Sequence, residues 1–331
     1  MSTFQRMLMR NACVLCFLCI SLWGCKSKSD STPAAAAQPP FMSVVAAPLL
    51  QTGDDAPPPD KTDGFDGKRA LAQVAKQVSF GPRPSGSPAI AQLQDYLLAE
   101  LKSYGCAVDT DSFNASTPAG SVAMKNLLVK IPGDKTGIIL LGTHYDTKRL
   151  NNFVGADDGG SSTGVMLELA RLLCKQHGKY AVWIAFFDGE EAVRLEWADP
   201  DNCYGSREMA ARLALGHDLT KIRAFLLADI VGSRTPLFKR ESKSTKWLVD
   251  VVWGTAQRLG YGNVFVNESA EVDDDHDSFL KRNVPSADVI GDFAASGYWH
   301  TPQDTMDKLS AKTLAIVGHV LLESIKQLQA Q

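Results

Sequence analysis

The sequence predicts an α/β fold: a three-layer sandwich whose central sheet, mostly parallel or mixed, is covered by helices on both faces. Three observations carry this. After residue 60, short apolar runs alternate with stretches of helical period. Several of those runs are apolar at successive positions, which suits a strand only when both faces of its sheet are covered. Polar clusters follow the runs regularly, and open α/β sheets bind ligands beyond the carboxyl ends of their strands.

In chain order, residues 67–78 carry apolar side chains at helical spacing, and 87–104 do the same before Gly105 ends the pattern. Strands are expected at 126–131, 137–141, 180–187, 224–230 and 286–290, with helices at 162–176, 206–215, 246–259 and 311–328. No internal repeat interrupts this order, so residues 61–331 read as a single domain.

Ahead of it lie two other segments. Arg6 and Arg10 precede an apolar run from Ala12 to Trp23, too short for a comfortable membrane span and suited to a signal-peptide core. The run ends at Leu22-Trp23-Gly24-Cys25, which resembles a bacterial lipobox despite Trp23 in its middle. Residues 1–25 are therefore expected to be a lipoprotein signal peptide with Cys25 as the lipidated residue. An ordinary cleaved secretory signal is the alternative, and both export the protein. Lys26 lacks the Asp linked to inner-membrane retention, which points to the outer membrane, periplasm or cell surface. Residues 26–60 are rich in Ser, Ala, Pro and Asp and read as a flexible spacer, with one apolar patch from Phe41 to Leu50.

Charge and composition exclude some classes. The net charge is −3, and the leader holds two unopposed arginines, so the remainder carries −5. Such a body has no basic excess to replace counterions, and a nucleic-acid partner is not expected. With 45% hydrophobic and 8% aromatic residues, wholesale disorder is excluded. Of seven cysteines, Cys13, Cys16, Cys19 and Cys25 fall in the leader. Cys106, Cys174 and Cys203 are too few for a disulfide framework, although one pair remains open.

The chemistry collects after the strands. The run 137–141 leads into Thr143-His144-Tyr145-Asp146, and a short loop then reaches Gly155-Ala156-Asp157-Asp158-Gly159-Gly160. The run 180–187 ends in Asp188-Gly189-Glu190-Glu191, and 224–227 ends at Asp229; Tyr298-Trp299-His300-Thr301 follows 286–290. Imidazole and carboxylate together suit Zn²⁺ in a site that keeps one position open. Paired glutamates let one bind metal while its neighbour moves protons, the arrangement wanted beside an amide carbonyl. Singly, each has a plainer reading: Asp157 and Asp158 as helix N-caps, the glutamates as dipole partners, His300 as structural. Their recurrence at successive strand ends favours the metal site. His177 and His217 lie away from any carboxylate cluster and read as surface residues. The sequons at Asn114 and Asn267 read as chance in a bacterial chain.

These residues resemble the M28 family of zinc-dependent hydrolases, and within it the glutaminyl-peptide cyclotransferases, from about residue 67 to 328. The resemblance implies a zinc-exopeptidase-like fold. It makes Asp158, Glu191 and His300 the ligands of a zinc ion, with Glu190 as acid/base. Co-catalytic aminopeptidases of the family would hold a second zinc on His144 and Asp229, with Asp158 bridging. One zinc is expected for a cyclase, two for an aminopeptidase.

Several signatures favour the cyclase. These are Asp188-Gly189-Glu190-Glu191-Ala192 followed by Trp197 and Tyr204-Gly205-Ser206-Arg207, Trp299 before His300, Asp273-Asp274-Asp275-His276 before Phe279-Leu280, and Asn152-Phe153-Val154-Gly155. Trp197 and Trp299 would wall the substrate pocket. The expected reaction turns the N-terminal Gln of a peptide into pyroglutamate and releases ammonia. Asp229 would hydrogen-bond Glu190 or its neighbours, and Asp274 would extend that relay. The chain also departs from the animal cyclases. Thr143 replaces a disulfide cysteine whose partner Cys174 lies too far along to supply, Asp288 replaces a histidine, and residues 293–297 are small and polar where a pocket aromatic is expected. A tethered binding protein with a dead site would have lost a ligand or Glu190, and none is lost.

Overall fold

The computed structural model describes residues 55–331; the signal segment, Cys25 and most of the spacer, with its apolar patch, lie outside them. Its elements are α1 (Gly67–Val78), α2 (Pro88–Ser103), β1 (Val108–Thr117), β2 (Gly120–Ile131), β3 (Gly133–His144), α3 (Gly160–Leu173), β4 (Gly178–Phe187), α4 (Tyr204–Leu215), β5 (Ile222–Asp229) and β6 (Phe238–Glu241). There follow α5 (Lys246–Arg258), β7 (Phe265–Ala270), α6 (Asp277–Leu280), β8 (Ser286–Ile290), α7 (Phe293–Ser296) and α8 (Ala311–Ala330).

Helix starts follow local chemistry. The Asp66 carboxylate accepts the Lys68 and Arg69 backbone N–H groups at α1, and Ser87 accepts that of Ile90 at α2, where Pro88 opens the helix. No described helix is long and apolar enough to cross a membrane.

Six strands form the main sheet in the order β1-β2-β4-β3-β5-β8. β4, β3, β5 and β8 run parallel, while β2 joins β4 and β1 in antiparallel register. The all-apolar strands are the central ones, as two covered faces require. On β3, Ile139 and Leu141 pack in the larger core with α1, α2, α3, α5 and α8. The alternate residues Ile138 and Leu140 face the other side, against Met209, Leu213 and Phe279 of α4 and α6. The mixed sheet covered on both faces is the architecture expected.

Parallel register brings the strand ends together: His144 pairs with Phe187, and Asp229 with Ile290. The motifs that follow β3, β4, β5 and β8 therefore leave one edge of the sheet.

Three strands escaped the sequence pattern. β1 is half exposed and rich in Asp, Ser, Thr and Asn, and only Phe113 and Ala115 mark its inner face, too few for a strand pattern. β6 and β7 form a separate two-stranded parallel sheet. α3 starts at Gly160 and ends at Leu173, with Cys174 as its C-cap, within the expected 162–176 at its far end. The open cysteine question resolves as a disulfide between Cys106 and Cys174, which ties the start of β1 to the end of α3. Cys203 is free and buried.

Candidate active site and metal centre

Asp158 sits between two imidazoles. Its Oδ1 lies 3.3 Å from His144 Nε2 and its Oδ2 3.3 Å from His300 Nε2. His300 Nε2 is also 3.1 Å from Glu191 Oε1, and His144 Nε2 is 3.0 Å from Asp229 Oδ1. Two groups of ligand atoms result, Asp158–Glu191–His300 and His144–Asp158–Asp229, each with its atoms within 4.8 Å of one another.

Both groups fit a cation. Asp158 Oδ2 is buried without a hydrogen-bond partner. Zinc bonds of 2.0–2.2 Å at tetrahedral angles place neighbouring ligand atoms about 3.3 Å apart, close to the spacings around His300 Nε2. Nitrogen and carboxylate oxygen without thiolate is the donor set of catalytic rather than structural zinc.

The electrostatics agree. Burial alone would lower the His300 pKa, yet the Asp158 and Glu191 carboxylates hold it up at about 9. Burial likewise works against charge on Asp158, and the His144 and His300 imidazoles beside it overcome this, leaving its pKa below the usual carboxylate range. Glu190 is pushed well above its usual value, chiefly by burial and against the pull of His144. Four carboxylates in so small a volume call for positive charge.

The backbones of Asp158 and Glu191 are each held by a carboxylate remote in sequence. Asp304 accepts the backbone N–H groups of Asp157 and Asp158 on its two oxygens, at 2.8 and 3.1 Å. Asp146 does the same for Glu190 and Glu191, at 3.1 and 3.4 Å. Arg83, fully buried, donates to the carbonyls of Tyr145, Val154 and Gly155, so one guanidinium braces both ends of the loop that carries Asp158. Gly159 has φ +73, and a Cβ there would lie 2.8 Å from the His144 ring; this position needs glycine. Asp157 is no N-cap: Gly159 holds that place, and the Asp157 carboxylate binds the Gly232 N–H and the Tyr298 hydroxyl.

A cavity of about 230 Å³ opens over these groups, and Trp197, Trp299, Phe293, Asp274 and Glu190 are among its walls. Trp299 is 38% exposed and stacks on the His300 ring at 4.0 Å. Phe293 lies 4.6 Å from the Trp299 ring. The expectation that 293–297 offers no pocket aromatic is thus corrected: Phe293, at the head of α7, supplies one. The small residues that follow it, Ala294, Ala295, Ser296 and Gly297, hid it.

The remaining candidates divide. Asp229 bonds His144 and its own following N–H, that of Ile230, not Glu190. Asp274 lines the cavity, but its Oδ1 accepts the Asp275 N–H and its Oδ2 has no partner, so neither Glu190 nor Asp229 is hydrogen-bonded to it. Asp288 is buried, with His276 Nδ1 3.9 Å away. His177 and His217 are exposed, and His177 pairs with Asp134. Arg83 and Asp304 were not anticipated; the one available signal was Asp304 standing four residues after His300.

Residues 126–325 match the family described as Peptidase family M28. The chain belongs to peptidase family M28. It is 31% identical over 270 residues to the bovine (Bos taurus) glutaminyl-peptide cyclotransferase-like protein, covering 72% of this chain and 70% of that one. Among solved M28-like structures, the glutaminyl cyclase of an Acidobacteriales bacterium superposes with a TM-score of 0.76 at 38% identity, covering 80% of this chain and 95% of that one. A Zn-dependent exopeptidase from Parabacteroides distasonis gives 0.72 at 29% identity, covering 79% and 98%. The resemblance read from the motifs is borne out.

Proposed function

We propose that the chain is a zinc-dependent glutaminyl-peptide cyclotransferase, converting the N-terminal Gln of peptides to pyroglutamate with release of ammonia. The observation that carries this is Glu190. Of the two adjacent glutamates, Glu191 is committed to His300, whereas the Glu190 carboxylate makes no hydrogen bond and borders the aromatic cavity. The relatives' names agree with this reading.

Asp158, Glu191 and His300 would hold one zinc, which when bound acts as a Lewis acid toward the side-chain amide carbonyl of the substrate. Trp197, Trp299 and Phe293 exclude water and hold the glutaminyl side chain folded toward its own α-amine. Tethering makes that amine effective without an activated water. As the amine nitrogen bonds the amide carbon, Glu190 takes a proton from it. Glu190 then gives the proton to the amide nitrogen, the C–N bond breaks and ammonia leaves. A raised carboxyl pKa suits a group that must both accept and donate. Asp229 would hold His144, and Asp274 would act at the cavity wall as a polar neighbour of this relay.

One observation favours a second reading. The His144–Asp158–Asp229 group has the spacing to hold another ion, as a di-zinc aminopeptidase needs. Incubating the zinc-loaded protein with peptides beginning in Gln and in Leu, read by mass spectrometry, decides between them. Loss of one ammonia from the first alone supports the cyclase, and free leucine overturns it. We further propose export and a lipid anchor at Cys25; the Cys106–Cys174 disulfide supports an oxidising compartment.

A further inference from the structure

Beyond the ligands and Arg83, a lysine is buried against the site. Lys148 is 1% exposed, and its ammonium donates to Glu191 Oε2 at 3.4 Å and to the Ala192 carbonyl at 3.3 Å. The other Glu191 oxygen is the one 3.1 Å from His300 Nε2. The carboxylate is thus divided, one oxygen turned to the ligand group and one to the lysine.

The lysine belongs to a wider grip. Counting from the end of β3, every second residue engages the glutamate pair. His144 Nδ1 lies 3.6 Å from Glu190 Oε2. Asp146 takes both glutamate backbone N–H groups. Lys148 holds the Glu191 side chain. A buried ammonium is costly unless matched by a nearby charge, and among the described residues Glu191 is the one carboxylate within ion-pair reach of it.

We propose that Lys148 is a positioning residue that fixes Glu191 as a one-oxygen ligand and so sets the zinc affinity of the site. The proposal rests on reading Asp158, Glu191 and His300 as the zinc group. With Oε2 engaged by the ammonium, Glu191 presents Oε1 in one rotamer. Without it, the carboxylate is free to rotate away or to offer both oxygens, and partners of this kind change metal affinity by about 10- to 100-fold.

The test uses full-length protein stripped of zinc, with zinc itself as the probe, titrated against a chelator of known affinity. Lys148→Met keeps the volume and removes the charge; Lys148→Gln keeps a donor without the charge. Zinc binding is expected to weaken about 10- to 100-fold in Lys148→Met and less in Lys148→Gln, while both metal-free variants still unfold in one cooperative transition. Zinc affinity unchanged or tightened in folded Lys148→Met overturns the proposal and leaves the zinc site standing. Failure of both variants to fold also overturns it, because Lys148 would then serve folding. Absence of zinc binding by the unmodified protein removes the site reading and this proposal together.

Discussion

His144 Nε2 and Asp229 Oδ1 lie 3.0 Å apart across the tips of neighbouring parallel strands. The pair has two readings: half of a second metal site, or a hydrogen-bonded brace beside a single one. The cyclase reading requires the brace. Elemental analysis of the purified protein is therefore expected to find one zinc per chain, and His144→Ala to keep it. Two zinc ions falling to one in the variant would establish the aminopeptidase arrangement.

Glu190→Gln keeps the shape of the side chain and removes its proton chemistry. Zinc content should be unchanged, and kcat on a Gln-peptide should fall by about 10²- to 10⁴-fold. Steady-state kinetics of the zinc-loaded variant check this, and retained turnover would take the acid/base role away from Glu190.

Trp197 borders the cavity. Trp197→Ala should raise KM for Gln-peptides about three- to tenfold, the worth of one aromatic contact, with zinc affinity unaltered. A fall in kcat at constant KM would place Trp197 in the chemistry instead.

Away from the site, Glu241 and His276 form a buried pair at 3.2 Å. Burial would raise the Glu241 pKa, but the bonds from His276 and from the Lys243 and Ser244 N–H groups bring it down from 4.5 to about 2. His276 is raised from 6.5 by Glu241 and Asp288 despite its own burial. The two signs are opposite. Stability from Glu241 is complete above pH 4.5 and lost as pH falls toward 2. Stability from His276 is complete below pH 6.5 and lost as pH rises through its higher folded value. The melting-temperature advantage over Glu241→Gln should therefore peak between about pH 4.5 and 6.5, and a flat difference would deny the coupling.

The Cys106–Cys174 bridge spans 68 residues of sequence. Replacing both cysteines with alanine should cost about 2–4 kcal/mol of unfolding free energy, measured by denaturant titration under non-reducing conditions. No loss would mean that the segment is already held by packing.

The central strands were legible because two covered faces force continuous apolar runs, and the ligands because each follows such a run. What the sequence hid lies in pairings over long separations. Apart from His300 four residues before it, the sequence around Asp304 does not mark it as the clamp of Asp157 and Asp158, 147 and 146 positions away. Arg83 reaches across 71 and 72 positions to the carbonyls of the loop ahead of Asp158. Phe293 was passed over because its neighbours are small, although a single ring suffices for a pocket wall. β1 was invisible for the opposite reason: an edge strand facing water needs no apolar pattern.

That edge has a consequence for behaviour in a crowd. A ten-residue strand with a free outer row of amides and carbonyls is a template for pairing with another copy. Here β1 carries Asp109, ion-paired to Lys130, and Asp111, ion-paired to Arg212, so two copies brought edge to edge would set like charges against each other. At the far side of the sheet the danger is met differently: Thr245 and Ser244 side chains accept the Ser286 and Asp288 N–H groups, and the Thr245 N–H binds the Ser286 carbonyl. One flank repels newcomers and the other is already taken, which would oppose growth of the sheet into aggregates.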